Sequence, residues 1–93
     1  MRRRGTVRVV EVEDFLSAKL KRTVARLFKQ KASLYQCVCR EVCRETGAGF
    51  FGYSKAFGKV KVTVEVHSRS EAEQMAERIE KAFWEILEKC RGK

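Results

Sequence analysis

Lys59-Val60-Lys61-Val62-Thr63-Val64-Glu65-Val66-His67 alternates valine with polar residues from end to end. Successive side chains of an extended strand point to opposite faces. Val60, Val62, Val64 and Val66 therefore share one face, and Lys59, Lys61, Thr63 and Glu65 share the other. A strand with one apolar face needs a neighbouring strand and a layer to cover it. Both lie next to it in the sequence. Upstream, the glycine- and aromatic-rich run from Gly47 to Gly58 leads into the strand, which predicts a hairpin turning near Ala56 to Gly58. Downstream the period changes from two to that of a helix. Ser70 and Glu73 fit a capping box, and Ala72, Met75, Ala76, Ile79, Phe83, Ile86, Leu87 and Cys90 fall on one face. This long helix is predicted to pack on the sheet.

Towards the N-terminus, Leu16, Leu20, Val24, Leu27 and Phe28 recur at helical spacing and predict a helix from about 14 to 31, with Glu13 and Asp14 at its positive end. Ser33 and Gln36 fit another capping box, and Leu34, Val38 and Val42 continue a second helix from about 33 to 46 that ends at Gly47, a natural left-handed cap. The segment Leu34 to Cys39 also suits a short strand. Thr6 to Val12 is β-branched and predicts a first strand, its alternation broken at Val9-Val10. The expected fold is α+β in the order β-α-α-β-β-α, with an antiparallel or mixed sheet and helices packed on one face. Residues 1–5 form a basic N-terminal tail, and 6–93 form a single domain. A chain of this length buries roughly 60 to 65 % of the surface its unfolded form exposes. That leaves room for one core and one binding face, with no small-molecule pocket expected.

Charge points to the partner. Residues 1–61 hold 15 Lys and Arg against 5 Asp and Glu, a net of +10, whereas residues 62–93 hold 6 against 7. Cations concentrated in one part of a chain are a footprint for a polyanion, because they release counterions condensed on phosphates. On the first predicted helix, Lys19, Arg22, Arg26 and Lys29 stand at i, i+3, i+7 and i+10 and form one stripe. The competing reading is a solvated surface that keeps the chain soluble. No apolar run is long enough to span a bilayer, and no helix pairs a basic face with a large exposed apolar one, so a membrane partner is not expected. The basic start, Met1 to Arg4, runs into Arg8, Glu11 and Glu13 and lacks the apolar region of a secretory signal; a cytoplasmic location is expected.

Phe50, Phe51, Tyr53 and Phe57, spaced by Gly49, Gly52 and Gly58 and followed by Lys55, Lys59 and Lys61, combine flat rings, an approachable backbone and cations. Bases stack on such rings at about 1 to 3 kcal/mol each while cations follow the phosphates, so single-stranded nucleic acid is the expected ligand. The site assigned to it is Lys19, Arg22, Arg26, Lys29, Lys55, Lys59 and Lys61 for phosphates, and Phe50, Tyr53 or Phe57 for bases. The order Phe51-Gly52-Tyr53 resembles the aromatic-glycine-aromatic core of the RNP1 motif of RRM domains. The likeness stops at three residues, lacks the motif's basic-glycine start and accompanies a different element order, so no family is assigned. On a strand, Phe51 and Tyr53 point one way and Phe50 the other, and one side is expected to be core.

Catalysis has little support. His67 is the only histidine, no serine sits in a Gly-x-Ser-x-Gly turn, and Glu73, Glu77 and Glu80 beside Arg78 and Lys81 suit a solvated helix face. The expectation is a binding protein without enzymatic activity or cofactor. Cys37, Cys39 and Cys43 lie close together with Cys90 far away. Buried thiols, a disulfide from Cys90 to one of the other three, and a thiolate metal site are the three readings; the spacing is a poor match for zinc, and no metal is assigned. The absence of Asn, with a single Asp and many Arg, Lys, Glu and Val, is the direction taken by hyperthermophile proteins, and suggests an archaeal or viral source. Trp84 falls about 140° round its helix from Ile79, on the glutamate side. An exposed Trp there suits a protein contact such as a homodimer, and otherwise covers the edge of the core. The alternative function is accordingly a protein-assembly subunit of a ribonucleoprotein or viral particle, working mainly through Trp84 and the last helix.

Overall fold

The computed structural model describes residues 11–92. A 3₁₀ turn, Val12–Phe15, leads into helix α1 (Ala18–Gln30) and helix α2 (Ala32–Thr46). Strands β1 (Phe50–Ser54) and β2 (Lys59–Thr63) form a two-stranded antiparallel sheet, and helix α3 (Arg69–Arg91) closes the chain. The fold is α+β, in the order α-α-β-β-α among the described residues, and the expected β-α-α-β-β-α order is not matched. Residues 6–10 of the expected first strand lie outside the described residues, as does the basic tail. Glu11 is extended, but Val12, expected to end that strand, instead enters the 3₁₀ turn, where it and Glu13 are buried.

Local capping explains the helix boundaries. α1 starts later than its apolar period suggests because Leu16 is extended and the Ser17 hydroxyl accepts from the Leu20 N–H at 3.0 Å. Glu13 and Asp14 thus belong to the 3₁₀ turn and not to the positive end of α1. The capping box expected at Ser33 and Gln36 does not form. Ser33 is already helical, and α2 begins after Lys31, which has no side-chain cap. At the other end Gly47, at φ 82°, supplies the expected left-handed cap. For α3 the box sits two residues before Ser70 and Glu73: the Ser68 hydroxyl accepts from the Glu71 N–H at 3.1 Å, and the Glu71 carboxylate accepts from the His67 N–H at 2.7 Å.

The hairpin turns at residues 55–58, with Gly58 at φ 67°, and pairs Phe50 with Thr63 through Ser54 with Lys59. β2 ends at Thr63 because β1 is only five residues long. Val64 and Val66 continue the alternation with no ladder partner among the described residues and pack against the core with Val62. Outward amides on both edges of the sheet meet partners from the elements beside it. Along β1, the Tyr53 N–H donates to the Tyr35 hydroxyl at 2.8 Å, and the Phe51 N–H faces the Cys43 sulfur. Along β2, the Val62 N–H donates to the Glu13 carboxylate at 3.2 Å. Tyr35, Cys39 and Cys43, spaced i, i+4 and i+8, are one face of α2 laid on the edge of β1. Gly52 lets them approach: a Cβ there would lie 2.5 Å from the Tyr35 hydroxyl oxygen.

Leu20, Val24 and Leu27 of α1, Val38 and Val42 of α2, Phe51 and Val60 of the sheet, and Ile79, Phe83 and Leu87 of α3 form one core. Phe51 meets Phe83 with ring centroids 6.0 Å apart. Phe28 joins the hairpin to α1, with its ring 5.0 Å from Tyr53 and 5.2 Å from Tyr35. Cys37 of α2 and Cys90 of α3 form a disulfide, their Cα atoms 6.4 Å apart. Cys39 and Cys43 are thiols. Burial pushes Cys39 up to about 12 and raises Cys43 as well, so both stay protonated against the sheet edge.

Two substitutions test this arrangement. Gly52→Ala should cost about 1 to 3 kcal/mol in chemical denaturation, the usual range for overpacking, and less when Tyr35→Phe removes the colliding oxygen. Cys90→Ser opens a cross-link spanning 53 residues of sequence. It should lower stability by about 2 to 4 kcal/mol, and a thiol reductant should then destabilise the wild type but not the variant.

Candidate nucleic-acid interface

α1 carries five cations and no carboxylate, and the whole stretch from Phe15 to Arg40 lacks Asp and Glu. Its core face, Leu20, Val24 and Leu27, fixes the rotation of the helix and turns Lys19, Arg22, Arg26 and Lys29 outward, where all four are exposed. None of the four has an ion-pair partner among the described residues. Elsewhere, by contrast, Arg44 pairs with Glu41, Arg69 with Glu73 and Arg91 with Glu88. A row of like charges without local counter-charges costs self-repulsion and presents a positive field to solvent.

The hairpin residues divide. Phe50 and Phe57 are 42 % and 68 % exposed, the two large apolar side chains that stand out from the described surface, and Lys55 is exposed in the turn between them. Tyr53 is half-buried, with its ring against Phe28. Lys61 is committed inside the chain: its ammonium lies 2.9 Å from Glu13 and 3.7 Å from Glu11, and its side chain is only 23 % exposed. It also stands 4.8 Å over the Phe57 ring, which props that ring at the turn. Lys59 reaches Glu11 at 3.8 Å and keeps half its surface open. Of the hairpin residues assigned to nucleic acid, Phe50, Phe57, Lys55 and Lys59 are accessible, while Tyr53 and Lys61 hold the fold.

The stripe and the hairpin lie on different flanks of α1. At about 100° per residue, the mean direction of the stripe is about 140° from that of Phe28, which carries the hairpin. On the stripe side α1 meets α3. The Ser17 N–H and hydroxyl donate to Glu80 at 3.1 and 2.8 Å, the Trp84 indole N–H donates to the same carboxylate at 2.9 Å, and the Lys19 ammonium lies 5.2 Å above the Trp84 ring. Trp84 also packs edge-on against Phe83. It is half-buried and covers the edge of the core, with its polar handle spent within the chain. Further along this flank, Lys31 and Arg91 come beside Arg26. Sequence reasoning passed over both, since Lys31 lies in the corner between helices and Arg91 in a balanced, remote helix end. A known Cys37–Cys90 pairing would have placed Arg91.

Glu13 is the other residue that the sequence did not single out. Burial alone would raise its carboxyl, but the Lys61 ammonium, backbone hydrogen bonding within the turn and the Val62 N–H together hold it below its ordinary value of 4.5. Burial likewise opposes ionisation of Glu80, yet the Trp84 and Ser17 donors hold it low. No family model matches the chain, and neither a curated protein nor a solved structure matches it.

The depressed Glu13 sets a pH test. Its contribution to stability is fully present above the unfolded carboxyl range and is lost as pH falls through the lower, folded value. Glu13→Gln should therefore be less stable than the wild type at pH 7, by about 1 to 3 kcal/mol for the buried hydrogen-bonded charge it removes. The difference should shrink as the pH of a denaturation series drops below about 4. A gap independent of pH would mean that the Glu13 charge contributes nothing.

Proposed function

We propose that this chain is a nucleic-acid-binding protein acting without enzymatic chemistry, with single-stranded DNA or RNA as its ligand and little sequence preference. The observation that carries the reading is the α1 stripe of exposed cations Lys19, Arg22, Arg26 and Lys29, in a 26-residue stretch free of carboxylates. Phosphates are its complement. Phe50 and Phe57, with Lys55 and Lys59 near them, add a second contact in which rings take bases and cations take phosphates. A single strand suits these two surfaces better than a duplex. They stand on different elements, the stripe on α1 and the exposed rings on the hairpin, and a flexible strand reaches both more readily than DNA with a persistence length of about 150 base pairs.

The assembly-subunit reading, including a homodimer, draws on Trp84 and is weaker, because Glu80, Phe83 and Lys19 already engage that side chain. A heat-adapted archaeal or viral source fits the Asn-free composition and the cross-link between α2 and α3. No helix among the described residues is long and apolar enough to cross a membrane, and the cytoplasm is the proposed compartment.

Fluorescence anisotropy with labelled single-stranded DNA, single-stranded RNA and duplex of equal length tests the reading. If all four stripe cations neutralise phosphates of a single strand, log K should fall with log salt at a slope near −2.8, at about 0.7 per phosphate. Arg22→Glu with Arg26→Glu should weaken binding by about a hundredfold or more while leaving the thermal transition in place. Unchanged affinity in that variant would remove the stripe from the interface.

A further inference from the structure

A groove opens on the α3 side of α1, lined by Thr23, Arg26, Gln30, Lys31, Leu34 and Arg91. Its three cations come from separate places: Arg26 from the outer face of α1, Lys31 from the single residue between α1 and α2, and Arg91 from the end of α3. Helical periodicity does not bring such residues together; packing does. Lys31 is held in the corner by its N–H, which donates to the Leu27 carbonyl at 2.8 Å. Arg91 directly follows Cys90, whose disulfide to Cys37 fastens this end of α3 to α2. Among the described residues, the carboxylate paired with these cations is Glu88, 3.5 Å from Arg91, and that pair is exposed on both sides. An exposed pair of this kind is worth little and yields readily to a better anion.

We infer that this groove is a phosphate subsite, in which the guanidinium groups of Arg26 and Arg91 and the Lys31 ammonium grip one phosphate group, with the Gln30 amide as a neutral donor. Guanidinium groups present planar forks that match phosphate oxygens two at a time, and an ammonium adds a compact charge. The start of α2 next to Lys31 has no side-chain cap among the described residues. Because Arg26 belongs both to the stripe and to the groove, a bound strand passes from the stripe into the groove at that residue. This assignment rests on the nucleic-acid reading for the source of its phosphate, although the groove chemistry would also accept free phosphate.

The test uses the oxidised full chain in two arms, wild type against Lys31→Gln with Arg91→Gln. In the first, ¹⁵N–¹H spectra are followed as inorganic phosphate is added at constant ionic strength. Shifts concentrated at the amides of residues 23–34 and around Arg91, and lost in the double variant, are expected. In the second, a labelled single-stranded oligonucleotide should bind the double variant about tenfold more weakly, with a salt slope shallower by about 0.7. The subsite is overturned if phosphate leaves these amides unmoved and the double variant binds the oligonucleotide as the wild type does. Phosphate shifts in the groove without oligonucleotide binding by the wild type would uphold the subsite for free phosphate and overturn the nucleic-acid reading.

Discussion

A two-stranded hairpin exposes two rows of outward backbone amides and is marginal in water by itself. Here the helices are arranged around covering those rows. α2 lies along β1 so that the Tyr35 hydroxyl and Cys43 sulfur meet the Tyr53 and Phe51 amides. On the opposite edge the buried Glu13 carboxylate takes the Val62 amide and pairs with Lys61. That carboxylate needs its two partners to be tolerated at all, since an ionised group 3 % exposed would otherwise neutralise or unfold its surroundings. The 3₁₀ turn at Val12–Phe15 is the backbone consequence: it directs Glu13 back to β2 and sets the point from which α1 must start.

The same constraint sorts the cations. Lys61 sits on the polar face of the strand, the position from which a lysine could meet a ligand, but Glu13 lies nearer than any external phosphate. Charge that closes the sheet edge is subtracted from charge available for binding. α1 has no such demand on it, because its core face is wholly apolar apart from Thr23, whose hydroxyl donates to the Lys19 carbonyl at 2.8 Å. Its outer cations therefore remain available, and four of the 15 Lys and Arg of residues 1–61 share one helix surface.

Features written in periodicity were legible. The valine alternation, the turn before Lys59, the three amphipathic helices and the left-handed Gly47 all follow from patterns within a few residues. Cap positions were less so, for a specific reason. Ser68-x-x-Glu71 and Ser70-x-x-Glu73 satisfy the same capping rule, and the choice falls to the pair whose glutamate reaches the His67 amide. Ser33 and Gln36 also satisfy the rule, but the chain leaves only Lys31 between α1 and α2, and Ser33 is already inside the helix. Pairings across long separations had no local trace. Glu13 with Val62 spans 49 positions and Cys37 with Cys90 spans 53. From the sequence, Glu13 was an ordinary acid near a helix start, and Cys90 had three equivalent partners. Tyr53 shows the same limit, since alternation placed it beside Phe51 while only packing reveals that Phe28 takes its ring.

α1 links these observations. Phe28 on one flank fixes the hairpin, Ser17 at its start is tied to Glu80 of α3, and Lys31 just past its end begins the groove that Arg91 completes. A helix anchored at its start, its flank and its end holds its outer side chains on a rigid backbone. On the proposed reading, binding would order only the side chains and the incoming strand, and the entropy cost of association would fall mainly on the ligand. Phe57 contributes differently, because its ring is braced by a lysine that is itself braced by Glu13. The most buried ion pair among the described residues thereby positions the exposed Phe57 ring, so the stability of the sheet edge and the presentation of the turn depend on one carboxylate.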